Sequence, residues 1–242
     1  MYGSNKVAHQ YLDSGQTLLV NEIFFSIQGE GPHAGKPAVF IRLTGCNLRC
    51  NFCDTDFSGG TVMPLADIAS GVLKVSAWGK PELVVITGGE PLLQNIAPLI
   101  NLLWESGADV QVETAGTVWI PGLELIARAI GADFLVCSPK TPKVHPKIAQ
   151  VCCHWKYIIS SGNVSAEDGL PTKDTQDPWK NRILNVYRPD FDNAFQTVWV
   201  QPCNDDSRFI GTTASNIKEA ARVAMQYGYR LSLQLHKIVG LE

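Results

Sequence analysis

An α/β fold with a mostly parallel sheet is the fold class that the sequence predicts. Apolar runs of strand length alternate along the chain with segments of helical periodicity, which is the pattern of βαβ units joined by right-handed crossovers. Residues 83–86 are apolar throughout, as expected of a strand that is buried on both faces of a parallel sheet. A chain of 242 residues, 45% of them hydrophobic and 18% charged, is also long enough to bury one large core.

Eight strands are predicted from runs of β-branched and apolar residues that end at glycine, proline or asparagine. The predicted strands are residues 18–27, 38–43, 83–86, 110–113, 133–137, 154–159, 197–200 and 230–235. Apolar residues at spacings of three and four predict helices over residues 64–78, 91–104, 123–130 and 213–227. Pro64 and Pro91 suit the first turn of a helix, and Gly228 can cap the C-terminal end of the helix predicted over residues 213–227.

The chain is predicted to form a single domain over residues 18–242, after a flexible leader of residues 1–17. Gly3, Ser4 and Asn5 in that leader favour no regular element. An irregular excursion is predicted at about residues 160–192, where Asp, Pro, Gly and Asn are frequent. The composition of this excursion does not indicate its function.

Composition argues against several classes of function. A net charge of -3 and a pI near 6.0 give no basic surface for nucleic acid. The N-terminal residues lack the apolar core of a signal peptide, and no run of about 18 apolar residues predicts a membrane span. Seven cysteines, an odd number, do not indicate a disulfide framework. We therefore expect a cytoplasmic protein, in a compartment that keeps thiols reduced.

Three cysteines fall within eight residues directly after the predicted strand 38–43. Cys46, Cys50 and Cys53 are separated by three and two residues. A structural zinc site needs four protein ligands, and a self-contained iron-sulfur electron carrier usually has four cysteines. A 4Fe-4S cluster held by only three would leave one iron open to an outside ligand. Zinc remains an alternative here, with a fourth ligand from Cys137, Cys152, Cys153, Cys203 or a histidine.

Polar motifs follow most of the predicted strands. Gly88-Gly89-Glu90-Pro91 comes after strand 83–86, and the other motifs are Gln28 to Glu30, Glu113, Ser138-Pro139-Lys140, Gln201-Pro202-Cys203-Asn204 and His236. Taken singly, each also fits an ordinary turn, and Cys203 is more commonly a packing residue. Because ligands of open α/β sheets bind beyond the carboxyl ends of the strands, we expect these motifs to form one site.

The cysteine spacing, with Phe52 before the last cysteine, resembles the cluster loop of the radical S-adenosylmethionine (radical SAM) enzymes. Gly88-Gly89-Glu90-Pro91 resembles their GGEP motif, which contacts the methionyl amine. The resemblance implies that the open iron binds SAM and that one electron cleaves it to a 5′-deoxyadenosyl radical, which abstracts hydrogen from the substrate. The cofactor-binding residues that it implies are Phe52, Cys53, Asp54, Gly88, Gly89, Glu90, Glu113, Ser138, Pro139, Lys140, Gln201, Pro202, Cys203 and Asn204.

Further segments resemble one branch of that superfamily, the 7-carboxy-7-deazaguanine synthases of the pathway to queuosine and other deazapurines. They are residues 22–32, Gly35, Pro37 and residues 38–43, 53–55, 113–116, 138–140, 201–202 and 234–237. The resemblance implies conversion of 6-carboxy-5,6,7,8-tetrahydropterin to 7-carboxy-7-deazaguanine with loss of ammonia. It also implies a reduced partial (β/α)6 barrel of the radical SAM type over residues 18–242, dependence on Mg²⁺, a homodimer, and an electron donor such as a flavodoxin or ferredoxin.

The residue types at the predicted site suit a carboxylated pterin. We expect Ile27, Gln28, Gly29 and Glu30 to recognise its amide and guanidine edge, with Thr87 and His236 as further contacts. Arg42 is predicted to pair with the substrate carboxylate, although an ion pair at a strand end is an equally ordinary role. Thr55 is predicted to bind Mg²⁺, with Asp54 as its rival. The terminal carboxylate of Glu242 is predicted to reach the pterin.

Two other functions remain open from the sequence alone. A glycyl-radical activating enzyme shares the cysteine spacing but acts on a protein, and it does not account for Gln28 to Glu30 or for residues 234–237. A non-enzymatic iron-sulfur or zinc module is the second alternative. Metal content and cleavage of SAM under reduction distinguish these from the pterin enzyme.

Overall fold

The computed structural model describes residues 6–53, 55–57, 59–77, 79–176, 185–190, 196–204 and 212–241. The strands are β1 (Thr17–Ile27), β2 (Pro37–Leu43), β3 (Thr61–Pro64), β4 (Leu83–Gly88), β5 (Asp109–Thr114), β6 (Leu135–Cys137), β7 (His154–Ile159), β8 (Thr197–Pro202) and β9 (Arg230–Leu231). The helices are α1 (Leu65–Val75), α2 (Ala97–Glu105), α3 (Leu123–Ile130), α4 (Pro146–Val151), α5 (Thr212–Tyr227) and α6 (Leu235–Ile238).

All nine strands belong to one sheet in the order β3-β1-β2-β4-β5-β6-β7-β8-β9. Neighbouring strands are parallel from β2 through β9, whereas β1 is antiparallel to both β2 and β3. The predicted α/β class with a mostly parallel sheet is therefore confirmed. In the described residues β3 and β9 do not pair with each other, so hydrogen bonds leave the sheet open, as in a partial barrel. The carboxyl ends of the parallel strands lie along one edge.

The helices bury apolar stripes against this sheet. In α1 the buried residues Leu65, Ile68 and Val72 recur at spacings of three and four, and this helix packs on β1 and β2. Trp155 and Tyr157 of β7 are fully buried, and burial of each large apolar side chain contributes roughly 1.5–3 kcal/mol. No helix in the described part of the chain is long and apolar enough to cross a membrane.

The segment predicted as one helix over residues 91–104 is divided in two. A 3-10 turn, Pro91–Leu93, precedes α2, which begins only at Ala97. Pro98 explains the break, because it has no N–H to donate and would clash with the carbonyl of residue 94 in a continuous helix. The side chain of Gln94 instead accepts from the N–H of Leu19 at 2.7 Å and donates to its carbonyl at 3.1 Å.

The strand predicted over residues 230–235 ends at Leu231, so that prediction was wrong beyond this residue. At Ser232 the chain turns: its N–H donates to the Val200 carbonyl at 2.9 Å, and its hydroxyl accepts from the Gly31 N–H at 3.1 Å. The short helix α6 follows, with Gln234 as its N-cap residue. The elements β3 and α4 were not predicted, since four and six residues carry too little periodicity to be recognised.

The described part of the predicted leader makes hydrogen bonds to the body of the fold. The Ala8 N–H donates to the Cys46 carbonyl at 2.7 Å, and the Tyr11 N–H to the Leu93 carbonyl at 2.8 Å. Residues 1–5 lie outside the described residues, and the division into leader and domain stays a prediction. In the predicted excursion, residues 160–176 carry one isolated β-bridge, between Val164 and Pro171.

Candidate active site

Three cysteine thiols lie on the loop that follows β2. Cys46, Cys50 and Cys53 carry reduced thiols and line one cavity of about 240 Å³, which we call the cluster cavity. Burial raises the pKa of Cys46 to about 12, so this group becomes a thiolate only where positive charge stabilises it. Within the described residues, no group of three His, Cys, Asp or Glu side chains is arranged to hold a single metal ion. Cys203, which follows β8, also lines this cavity, so three thiols of one loop and a fourth from another part of the chain face it. The three thiols of the loop fit the donor set of an iron-sulfur cluster.

Two glycines at the end of β4 let the cysteine loop lie directly against this strand. A Cβ added at Gly88 would lie 2.3 Å from the Leu43 carbonyl oxygen, and one at Gly89 would lie 2.2 Å from that of Gly45. The Glu90 N–H then donates to the same Gly45 carbonyl at 2.9 Å. Any larger residue at these two positions would displace the cysteine loop, and this explains why both positions are glycine.

The Glu90 side chain lies behind the cluster cavity and does not line it. Only 1% exposed, its carboxylate accepts hydrogen bonds from the Thr114 hydroxyl at 2.7 Å and from the N–H groups of Ala115 and Leu92 at 2.8 and 3.1 Å. Burial raises the pKa of Glu90, although these donors act in the opposite direction. Glu90 thus ties the end of β4 to the end of β5, and its predicted contact with SAM stays a prediction.

Most residues predicted to bind the cofactor line the cluster cavity, because they lie at the carboxyl ends of neighbouring parallel strands or on the cysteine loop. These residues are Phe52, Cys53, Gly88, Gly89, Glu113, Ser138, Lys140, Gln201, Pro202, Cys203 and Asn204. Pro139 is not among the lining residues, and Asp54 lies outside the described residues.

A second cavity of about 530 Å³ adjoins the first, and we call it the substrate cavity. Most of the residues predicted to bind substrate or magnesium line it: Ile27, Gln28, Glu30, Arg42, Thr55, Thr87 and His236. Gly29 does not line this cavity, and Glu242 lies outside the described residues, although its neighbour Leu241 does line it. The two cavities have Glu30, Thr55, Thr87, Gly88, Glu113 and Gln234 in common.

A buried ion pair lies where the two cavities meet. The Lys156 ammonium donates to one oxygen of Glu30, whose other oxygen accepts from the amides of Gln234 and Gln201 at 2.8 and 3.0 Å. Burial works against both charges. Burial is the largest single effect on each group, but the attraction between the two charges, their hydrogen bond and the other groups around them together outweigh it. The net result lowers the pKa of Glu30 to about 2 and raises that of Lys156. Both groups therefore stay charged at neutral pH.

Glu113, at the end of β5, is the second carboxylate of this network. One of its oxygens accepts from the Gln28 amide at 3.1 Å and lies 3.9 Å from the Lys156 ammonium. Its other oxygen accepts from the Thr87 hydroxyl at 3.2 Å. The Gln28 side chain also accepts from the backbone N–H of Glu30 at 3.1 Å, so one amide binds the Glu113 carboxylate and the backbone of Glu30. The network presents two fixed acceptors to the cavities.

Arg42 also lines the substrate cavity, from β2. It pairs across the strands with Glu22, with its Nε 2.5 Å from the carboxylate, and its guanidinium lies 5.3 Å from the centre of the Phe24 ring. The register of β1 and β2 places Glu22 and Arg42 directly opposite each other. Both side chains remain partly exposed, at 45% and 21%. A ligand in the cavity can therefore reach the guanidinium.

His236 reaches the substrate cavity from α6 and packs against Gly29. A Cβ at Gly29 would lie 2.1 Å from the Nδ1 atom of His236, so this position requires glycine. The Leu235 N–H donates to the Gly29 carbonyl at 3.3 Å. Burial lowers the pKa of His236, which leaves its imidazole neutral at pH 7 and able both to donate and to accept a hydrogen bond.

On the other side of the cluster cavity, Lys140 is held against its own loop. Its ammonium donates to the Ser138 carbonyl at 2.9 Å and to the hydroxyl of the same residue. Burial lowers the pKa of Lys140. This cation is the polar end of the Ser138-Pro139-Lys140 motif, and it lies on the same cavity as the cysteines.

Several residues of the site were not predicted from the sequence. Lys156 lines the cluster cavity, and a lysine inside the otherwise apolar run of β7 is a signal that could have identified it. Gln234 and Asp56 line the substrate cavity. Thr175 and Gln176 contact Cys50 from the excursion, whose composition gave no indication of such a role.

Several known proteins resemble this chain in sequence or in fold. Residues 40–159 match the model of the Radical SAM superfamily. The chain is similar to 7-carboxy-7-deazaguanine synthases from Rhodospirillum rubrum (38% identical, 99% of each chain covered) and Thermoplasma acidophilum (44% identical, 92% of this chain and 97% of that one). The crystal structure of QueE from Escherichia coli shares the fold, with a TM-score of 0.58 at 21% identity over 90% of this chain and 94% of that one.

Proposed function

The chain belongs to the family of 7-carboxy-7-deazaguanine synthases, radical SAM enzymes, and from this premise we propose that its two cavities hold the cofactor and the substrate of that reaction side by side. The reaction converts 6-carboxy-5,6,7,8-tetrahydropterin to 7-carboxy-7-deazaguanine with loss of ammonia. The observation that carries the proposal is the wall that the two cavities have in common, which includes Glu30, Thr87 and Glu113. Two groups bound in cavities that share these lining residues would lie side by side within the protein, as a reaction between them requires.

Cys46, Cys50 and Cys53 would hold a 4Fe-4S cluster in the cluster cavity. When bound, such a cluster would supply the electron for the reductive cleavage of SAM, which is the source of the radical chemistry that would remove hydrogen from C6 of the pterin. The protein binds and orients the cofactor and the substrate, and it excludes side reactions. The ends of β4, β5, β6 and β8 supply the polar groups for SAM, with the backbone of Gly88 and Gly89 beside the cysteine loop.

The substrate cavity suits both polar parts of the pterin. The carboxylates of Glu30 and Glu113 are acceptors for its N–H groups, and Lys156 keeps Glu30 ionised so that it can only accept. Arg42 pairs with the substrate carboxylate by exchanging its contact with Glu22, because a planar guanidinium binds a carboxylate through two parallel hydrogen bonds. The neutral imidazole of His236 contacts the pterin from the side of α6.

The proposal extends to the metal and the partners of the enzyme. The Thr55 hydroxyl binds Mg²⁺ together with the substrate carboxylate and water, which suits an ion that keeps few protein ligands. Asp54 is the rival ligand. Family resemblance supports a reducing partner such as a flavodoxin or ferredoxin, a homodimer, and a cytoplasmic location.

Anaerobic turnover tests this function directly. The full chain, reconstituted with iron and sulfide, is incubated with the carboxypterin, SAM, Mg²⁺ and a reductant, and the deazaguanine product is measured. We expect about four irons per chain, since that is the content of one such cluster. We also expect product and SAM that is regenerated.

Two controls make that experiment decisive. The Cys50→Ala variant should lose the cluster and all product formation, whereas Cys153→Ala, which alters a thiol outside both cavities, should keep both. A reconstituted chain that binds iron and cleaves SAM but leaves the pterin unchanged would reject the proposed substrate. Zinc in place of iron would reject the radical mechanism.

A further inference from the structure

Two side chains of the irregular excursion contact the middle cysteine of the cluster loop. The Thr175 hydroxyl oxygen lies 3.0 Å from the Cys50 sulfur, and the Gln176 amide nitrogen lies 3.4 Å from it. Both distances are within the range of hydrogen bonds to sulfur. In contrast, the Cys46 sulfur accepts a hydrogen bond from the backbone N–H of Leu48, at 3.4 Å.

Backbone hydrogen bonds hold this part of the excursion in place on the loop. The Asn51 N–H donates to the Thr175 carbonyl at 3.3 Å, and the Thr175 N–H donates to the Lys140 carbonyl at 3.0 Å. On its other side, the Gln176 amide oxygen accepts from the Arg49 N–H at 2.7 Å. The contacts with Cys50 are therefore fixed by the fold, and the backbone anchors of Thr175 do not depend on its side chain.

The hydroxyl of Thr175 is oriented towards an acceptor. Its oxygen accepts from the Gln176 amide at 2.8 Å, so its own proton is free to be donated. Two acceptors lie within reach, the Cys50 sulfur and, at 3.3 Å, the Lys140 carbonyl. A cysteine that binds iron is a thiolate, and a charged acceptor is favoured over a neutral carbonyl.

We propose that Thr175 and Gln176 raise the reduction potential of the cluster by donating hydrogen bonds to the Cys50 sulfur. One-electron reduction adds negative charge to the cluster and its sulfur ligands. Donors at a sulfur therefore stabilise the reduced form more than the oxidised form, and such hydrogen bonds are among the determinants of cluster potential. The inference rests on the proposed function only through the presence of the cluster. Neither residue takes part in the reaction itself. Each places a hydrogen-bond donor at the Cys50 sulfur, which is a ligand of the cluster.

The midpoint potential of the reconstituted full-length protein tests this inference. Titration with reductant, followed by the EPR signal of the reduced cluster, gives that potential without any turnover. Thr175→Val removes the hydroxyl but keeps the shape of the side chain, and we expect a more negative midpoint with unchanged iron content. Thr175→Ser should restore the midpoint, and Thr175→Val with Gln176→Leu should lower it further. The iron–sulfur stretching bands should move to higher frequency in the same order.

Thr172→Val is the matched control, because Thr172 lies in the same excursion and its N–H bonds to the Asn163 carbonyl at 3.0 Å. Its midpoint should equal that of the natural protein. An unchanged midpoint in the double variant, or an equal shift in the control, overturns the inference. If Thr175→Val loses its iron, the midpoint of Gln176→Leu tests the inference instead, and it should be more negative than that of the natural protein. If Thr175→Ser also loses its iron, the result counts against the inference. If the midpoint shifts in the variants as expected but the natural protein forms no product from the pterin, only the proposed substrate is rejected.

Discussion

Two ion pairs on the walls of the site differ in how much water reaches them. The side chains of Lys156 and Glu30 are only 7% and 12% exposed, whereas those of Arg42 and Glu22 are 21% and 45% exposed. The buried pair is part of a wider network, since two glutamine amides bind the same carboxylate. The exposed pair joins two adjacent antiparallel strands.

This difference indicates two different roles. Two charges enclosed together cannot be separated without leaving one of them unpaired in a poorly solvated place, so the buried pair holds a fixed geometry. An exposed pair contributes little to stability and can exchange one partner at little cost. The structure thus combines one buried pair that is fixed in place with one partly exposed pair that can exchange a partner.

Loss of the buried cation is expected to have the largest effect. Lys156→Met should lower the free energy of unfolding by about 3–5 kcal/mol, because Glu30 is left buried without its partner. Urea denaturation of the full chain, followed by far-UV circular dichroism, measures this change. The double variant Glu30→Gln with Lys156→Met should recover most of the loss. A loss below about 1 kcal/mol in the single variant would show that the pair is effectively solvated.

The pH dependence of stability should show the same buried pair. The folded-state pKa of Glu30 is lowered to about 2 from an ordinary value of 4.5, so its stabilising contribution is complete above pH 4.5 and is lost as the pH falls towards 2. Between these values this one group should contribute a slope of about 1.4 kcal/mol per pH unit. Urea denaturation between pH 5 and pH 3 measures the slope. Glu30→Gln should remove this component, whereas Glu22→Gln should retain it.

Removal of the exposed cation should affect binding of the substrate much more than the stability of the fold. Arg42→Ala should change the free energy of unfolding by no more than about 1 kcal/mol. It should, however, raise the KM for the carboxypterin by roughly ten- to a hundredfold, the loss of one charged hydrogen-bonded contact. Cleavage of SAM in the absence of the pterin should be unaffected. If that cleavage also fails, Arg42 does not act on the substrate.

The smallest effect is expected at the partner of Arg42. Glu22→Gln should change stability by less than about 0.5 kcal/mol, since the pair is open to water and screened by salt. The KM for the carboxypterin should stay the same or fall slightly, because the guanidinium no longer has to leave a carboxylate. A several-fold rise in KM would show that Glu22 holds Arg42 in place for the substrate.

Much of the fold and of the site could be predicted from short stretches of sequence. The strands that lead to the cysteine loop and to Gly88-Gly89 were correct, because a buried parallel strand is a continuous apolar run. The predicted motifs meet at one edge because parallel strands share a direction. The hydrogen-bond partners of the Glu90 side chain could not be predicted in this way, since Thr114 ends the neighbouring strand β5 and Ala115 follows it.

The sequence by itself determined the α/β class, the cysteine loop and the edge of the sheet where the site lies, because periodicity and close spacing are properties of neighbouring residues. Only the tertiary structure decided that Lys156 pairs with Glu30, 126 residues away, and that Thr175 reaches Cys50, 125 residues away. Such contacts depend on the order of the strands in the sheet and on the path of an irregular segment. Neither is encoded in a local pattern, and both set the charge and hydrogen bonding of the site.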